Sequence, residues 1–298
     1  MRSRVGPVGR TRLVAVTLGA AFGALFGLYL LWRLGDWGLN RLLYENPAFA
    51  LRTVDVQTDG VLSPAQLRRW ASVPVGANLL ALDLATVKRN LEYVPWVASV
   101  SVERILPGTL RVRVTERRAV AQINLPRPRP GGGVEVAVYH LDAGGYVMLP
   151  LDARLRSTPL FQPEPPLPVI AGVNPNEVQP GRWIETPSVL AALRLLAAFE
   201  QSPMTGLVEL RKIDVGASGV LEVTTAQGSV VTLGEGNFER QLQRWREIYD
   251  AGVRQGWTIA SLDLAVTNNI PVRWVQGGPL PSQPPPGGKP QRRVNKHA

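Results

Sequence analysis

The chain of 298 residues has no cysteine, two histidines and a single long apolar run. Without cysteine there is no disulfide framework, no thiol nucleophile and no Cys-ligated zinc, so exported folds must stand on packed cores. His297 lies in the C-terminal stretch, and His140 closes a predicted strand without a catalytic companion, so it is read as structural. No GxSxG, HExxH, P-loop or dinucleotide fingerprint occurs. Asp142, Asp214, Asp250 and Asp263 are scattered at spacings that argue for no acid–base pair. Gly234-Glu235-Gly236 is a lone Gly-x-Gly before a helix, read as a helix-entry turn rather than an anion cradle. No cofactor or metal is expected, and the chain is not read as an enzyme.

Acidic residues are the minority, 23 against 33 Lys and Arg, for a formal charge of +10. The excess sits at the ends. Arg2, Arg4, Arg10 and Arg12 precede the apolar run, and Lys289, Arg292, Arg293 and Lys296 lie in the last 22 residues, leaving +2 for residues 13–276. That small balance does not suit nucleic acid, which is not expected as a partner.

Leu13 to Trp32 carries no charge. Twenty residues at about 1.5 Å each span about 30 Å, a bilayer's hydrocarbon thickness. The flanking arginines hold the N-terminus in the cytoplasm and leave the bulk outside. A cleaved signal peptide begins the same way, but its apolar core is roughly 7 to 15 residues and ends at a small-x-small site. Here the run continues through Leu25, Phe26, Leu28, Tyr29, Leu30, Leu31 and Trp32, so it is read as an anchor in the lipid bilayer.

Beyond the anchor, Val54 and Val56 alternate with polar residues as a strand closed by Asp59-Gly60. Ser63-Pro64 opens one helix, with Leu67, Trp70 and Ala71 inward. A second places Leu84, Val87, Leu91 and Val94 inward and stops at Pro95. Trp96, Ala98, Val100 and Val102 form one face of a strand, Leu106-Pro107-Gly108 turns it, and Leu110, Val112 and Val114 return. Strand, helix, helix, strand, strand is a unit able to fold alone.

The remainder reads as mostly β. Pro126, Pro128, Pro130 and Gly131–Gly133 are read as a loop, and residues 159–168 as an extended proline-rich connection. A buried helix opens at Thr186-Pro187, a second runs from Phe238 to Gly252, and strands are expected near 207–214, 220–226, 229–233, 257–266 and 270–275. The fold class is α+β: one N-terminal transmembrane helix, the β-α-α-β-β domain, then a mainly antiparallel β-domain with two or so flanking helices. The expected divisions are 1–12 cytoplasmic tail, 13–32 membrane helix, 33–50 connector, 51–118 first domain, 119–276 β-domain and 277–298 disordered tail.

The last strand, Ile270 to Val275, contains Pro271, which confines it to an edge or to its own first residue. An edge strand can accept a partner strand by β-augmentation. If the missing donor of Pro271 points outward, a partner would bond Asn269, Arg273, Val275 and the Pro271 carbonyl. If it points inward, the ladder with the preceding strand loses a bond. From these residues alone, a plain closing strand with Trp274 in the core reads slightly better.

Gly76-Ala-Asn-Leu-Leu-Ala-Leu-Asp-Leu and Val94-Pro-Trp-Val through Glu116-Arg117-Arg-Ala-Val-Ala, followed by Asp142-x-x-Gly145, Leu167-Pro168 with Gly172, Leu233-Gly234 and Asp263-Leu264, resemble the bacterial cell-division family FtsQ/DivIB. Here Ala265 stands where members often have arginine, and Ala119 where they commonly have proline. The resemblance implies a POTRA domain after the anchor, then a β-domain. It also implies a non-catalytic divisome scaffold that joins early and late division proteins and helps control septal peptidoglycan synthesis. It implies that FtsB- and FtsL-like partners dock at Val266, Asn268, Asn269, Ile270, Val272, Arg273 and Trp274. Other divisome membrane proteins are expected to meet the POTRA domain and membrane helix, in the inner (cytoplasmic) membrane at the septum. Two rival readings are weaker. An envelope assembly component would need a membrane barrel that residues 120–275 are too few to build. An anchored wall hydrolase would need a nucleophile, acid pair or metal cluster.

Overall fold

The computed structural model describes residues 7–129, 131–157 and 166–276. They fall into two compact units, Met1–Glu116 and Arg117–Ala298. The N-terminal expectation for residues 1–6 and the tail expectation for 277–298 lie outside the described residues.

Helix α1 spans Pro7–Leu39 and passes into a π-helical turn, Asn40–Tyr44. Within it, Val16–Tyr44 is long and apolar enough to cross a membrane, and its apolar window is not buried by the rest of the chain. The helix outruns the expected 13–32 span because backbone bonding does not stop where the hydrocarbon does. Arg33, Asp36 and Arg41 continue it without a proline or a cap. The expected connector is therefore largely helical. Asn46 then caps a short 3-10 turn, Pro47–Phe49, accepting from the Ala48 N–H at 2.9 Å.

Asn78, from the Gly76-Ala-Asn-Leu stretch, ties this entry down. Its Nδ2 donates to the Leu43 carbonyl at 2.8 Å, while its Oδ1 accepts from the Leu80 N–H at 2.8 Å. The Leu51 N–H donates to Ala77 and the Leu79 N–H to Phe49, each at 2.8 Å. The end of the long helix is thus tied to the first domain by the Asn78 side chain, and the chain just beyond it by backbone pairs at Phe49 and Leu51.

That domain contains β1 Thr53–Thr58, α2 Pro64–Ala71, α3 Leu84–Glu92, β2 Val97–Ile105 and β3 Thr109–Glu116. The sheet order is β1-β3-β2, with β1 parallel to β3 and β2 antiparallel to it. Leu67 and Ala71 of α2 and Val87 and Leu91 of α3 are buried. Asp83 caps α3, and the Thr86 hydroxyl followed by the Ala85 N–H hold its carboxyl below the usual range.

One face differs from expectation. Val97 is buried and Ala98 exposed, because a bulge between Val97 and Ser99 shifts the alternation by one residue. Glu116 closes the domain from inside. Its carboxylate accepts from the Thr58 hydroxyl and from the Val61 (2.8 Å) and Leu62 (2.9 Å) N–H groups. Its own N–H donates to Asp59 Oδ1 at 2.8 Å. Arg104 donates to the Leu79 (2.8 Å) and Leu82 (2.6 Å) carbonyls.

The second unit is built on one mixed sheet: β4 Ala119–Pro128, β5 Val134–Asp142, β6 Val147–Met148, β7 Val169–Ala171, β8 Leu210–Asp214, β9 Val220–Thr225, β10 Val230–Gly234, β11 Trp257–Asp263 and β12 Val272–Gln276. Its order is β12-β11-β10-β9-β8-β7-β4-β5-β6. Helices α4 Pro187–Glu200 and α5 Phe238–Gln255 are the crossovers that let β7–β8 and β10–β11 run parallel. Both helices share one core with the sheet, in which Leu195, Phe199, Leu242 and Trp245 meet Ile170, Ile213, Val223, Val231 and Ile259.

Two expectations are corrected. Pro126 and Pro128 lie inside β4, opposite Val136 and Val134, rather than in a loop. The Gln122 N–H points to Pro168, away from β5. By alternation, 126 and 128 also point away from β5, where β7 has already ended, so no ladder bond is lost. Helix α5 runs past Gly252 to Gln255 and is capped by Gly256 in the left-handed region at φ 70°. Of the proline-rich connection, residues 158–165 lie outside the described residues.

Arg117 opens this unit. Its guanidinium pairs with Asp142 at 2.7 Å and stacks 4.0 Å from the Tyr146 ring centre and 5.1 Å from Trp183. Asp142 also accepts from the Gly144 and Tyr146 N–H groups, and the turn closes on its carbonyl through the N–H of Gly145, whose φ of 88° accounts for glycine at the fourth position of Asp-x-x-Gly. At the end of β8, Lys212 first and then the Gly216 N–H hold the Asp214 carboxyl below its usual value. A depressed folded pKa gives stability that is present above the unfolded value of about 3.9 and lost as pH falls through the folded one. Between pH 5 and pH 2, Asp214→Asn is therefore expected to lose less urea resistance than wild type. Equal losses would remove this role.

Candidate partner-binding edge strand

Among the described residues, strand β12 is the last in its sheet and pairs, antiparallel, only with β11. The two are joined by residues 264–271, with Asn269 in the left-handed region at φ 51°. The loop is held at its start, where the Leu264 N–H donates to Thr232 at 2.7 Å and the Ala265 N–H to Asp263 Oδ1 at 3.0 Å.

The direction of Pro271 follows from one bond. The Asp263 N–H donates to the Pro271 carbonyl at 3.1 Å, so Pro271 faces β11 and its missing donor costs the inner ladder a bond. By alternation, Arg273 and Val275 also point backbone groups inward, and Val272, Trp274 and Gln276 point theirs outward. The outward set is thus the opposite of the one expected for an outward proline, and Asn269 belongs to the loop.

The side chains divide differently. Ile270, Val272 and Trp274 share one face and pack, half-buried, against the core. Trp274 lies over Gly252 of α5, where a β-carbon would fall 2.9 Å from its Cη2 atom and nearer still to Cζ3. Arg273 is exposed on the other face, and Val266, Asn268 and Asn269 are exposed on the loop. A core role for Trp274 and an open backbone edge therefore coexist.

Beside the strand runs an open groove of about 640 Å³. Thr267, Asn268, Asn269, Ile270, Val272 and Trp274 form one wall; Arg244, Glu247, Ile248 and Ala251 of α5 form the other. The α5 wall was not expected. Its signal is the stripe 244, 247, 251 that flanks the buried Leu242-Trp245 stripe at helical spacing.

No catalytic geometry gathers elsewhere among the described residues. Asp142, Asp214 and Asp250 each pair with a neighbouring base. The Gly234–Gly236 turn is filled by Gln241, whose amide accepts from the Gly234 N–H and donates to the Gly234 and Gly236 carbonyls. His140 sits in β5 opposite Gln122.

A membrane-length helix, a small β-α-α-β-β domain and a larger sheet fit a single-pass membrane protein, and nothing in their arrangement is at odds with work done through other proteins. Residues 49–117 match the family described as POTRA domain, FtsQ-type, and residues 135–265 match Cell division protein FtsQ/DivIB, C-terminal. The chain is 34% identical to Cell division protein FtsQ of Rhodothermus marinus over 70% of this chain and 72% of the relative. It is 27% identical to that of Geotalea daltonii, over 80% and 81%, and 25% identical to that of Syntrophotalea carbinolica, over 89% of each. The chain belongs to the FtsQ/DivIB family of cell-division proteins. It is a cell-division scaffold whose partners are proteins.

Proposed function

We propose that this chain is a non-catalytic divisome scaffold of the cytoplasmic membrane, its N-terminus inside and its two domains outside, acting at the septum. It joins early to late division proteins, and its contacts help to control septal peptidoglycan synthesis. In this reading an FtsB–FtsL-like pair adds a strand to β12, while other membrane components of the divisome meet the POTRA domain and anchor.

One observation carries the proposal: a sheet-end strand whose backbone at Val272, Trp274 and Gln276 faces outward, beside a groove. Backbone bonds would supply affinity and the groove would select the partner's side chains. The test is a pull-down of the partner pair by the full chain. Gln276→Pro removes one outward donor from an exposed residue and should weaken binding about 2- to 13-fold, from about 0.5 to 1.5 kcal/mol per bond. Gln276→Ala and Arg273→Ala should bind as wild type. Equal capture by the proline variant would remove the augmentation model. Depletion of the protein should leave filamentous, undivided cells, and a fluorescent fusion should gather at midcell.

A further inference from the structure

The opposite end of the same sheet offers a second open edge. Among the described residues, β5 is paired on its outer side only over His140–Asp142, by the two-residue β6 and the Tyr146 carbonyl before it. Val134 to Tyr139 have a strand neighbour only on the β4 side.

Three bonds fix which way the β5 backbone points. The Gln122 N–H faces Pro168, so its partner His140 faces away from β4; the Asp142 N–H donates to Tyr146 on that outer side; and the Arg129 N–H donates to Gly133 across the hairpin. Even-numbered residues of β5 therefore direct N–H and C=O outward. Val134, Val136 and Val138 are the free ones. The side chains of Val134 and Val136 are 73% and 65% exposed.

The two edges of this hairpin are treated differently. On β4, the outward positions 126 and 128 are prolines, a usual way of blocking an edge. On β5 the corresponding positions are valines, with no proline, lysine or bulge from 134 to 139.

We propose that this edge pairs with the same edge of a second copy of the chain, antiparallel about a two-fold axis at Val136. That register sets Val136 against Val136 of the partner copy and Val134 against Val138, with about six exchanged bonds. It also sets Glu135 against Ala137. The neighbouring registers fail on the residues themselves. Centring on Glu135 opposes two like charges directly, which is destabilising. Centring on Ala137 places Val134 against His140, whose outward groups already meet β6. The inference is separate from strand addition at β12, which lies at the far end of the sheet.

Absence of cysteine makes the test clean. Single variants of the full chain in native membranes are oxidised and scored for dimer. Val136→Cys lies opposite itself, within disulfide reach, and should give on the order of 10-fold more dimer than Val134→Cys or Val138→Cys alone. Each of those is separated from its own copy by about 14 Å along the strand. Val134→Cys co-expressed in equal amount with Val138→Cys should cross-link at about half the Val136→Cys yield, since random pairing makes about half the dimers mixed. Adding Val136→Pro to that pair, which removes an outward donor and no β4 bond, should return it to the single-variant level. Adding Val136→Thr should not. Equal yields at 134, 136 and 138, or no excess at 136 in membranes where the variants still support division, would overturn the proposal.

Discussion

Replacing Glu116 with alanine is expected to cost the POTRA domain about 3 kcal/mol, since the Val61 and Leu62 N–H groups and the Thr58 hydroxyl lose their acceptor in a buried setting. For a domain of this size that is about 12 to 24 °C in the unfolding midpoint. Glu116→Gln keeps one acceptor oxygen and should lose roughly half as much. Calorimetry of the full chain in detergent reads both values. An alanine variant melting within a degree or two of wild type would show that the carboxylate is dispensable. The loss should fall on the first domain only, because Glu116 bonds within Thr58–Leu62 while Arg117 bonds to Asp142.

Gly252→Ala should be felt at β12. Its β-carbon would overlap the Trp274 ring and lie 3.1 Å from the Trp257 carbonyl, so the ring must leave its seat on α5. Overpacking of this kind costs about 2 kcal/mol, or about 4 to 8 °C for a domain of this size. Displacing Trp274 also disturbs the strand that offers the outward backbone. Partner capture should therefore fall on the order of 10-fold, more than one lost hydrogen bond explains. Trp274→Val in the same chain makes room for the β-carbon and should recover more than about 1 kcal/mol of the loss, a non-additivity expected of touching residues. Strictly additive costs would mean that the two do not meet.

Much of this was legible in the sequence, for identifiable reasons. The long apolar helix is a matter of composition. The order of the POTRA elements follows from short-range periodicity, with Val54/Val56, Leu67/Ala71, Val87/Leu91 and Leu110/Val112/Val114 each marking one element. What escaped is non-local or depends on one atom. The bulge at Val97–Ser99 inverts a face without altering composition. Pro126 and Pro128 read as loop because their tolerance depends on β7 ending at Ala171, far away in sequence. Gly252 looks like a helix stop until Trp274 is seen lying on it. Pro271 left two readings of the last strand open, an edge or a proline at its start, and the inward turn of that proline depends on the Asp263 bond. The groove needed α5 placed beside the last loop.

Asn78 gives the anchor a mechanical character. A leash would let the domain tumble independently of the long helix, but here the turn that ends that helix is fastened to the domain through Leu43. Spin of the anchor about its own axis is transmitted as torque rather than dissipated in slack chain. A partner that gripped this helix would thereby gain a handle on which way the POTRA domain faces.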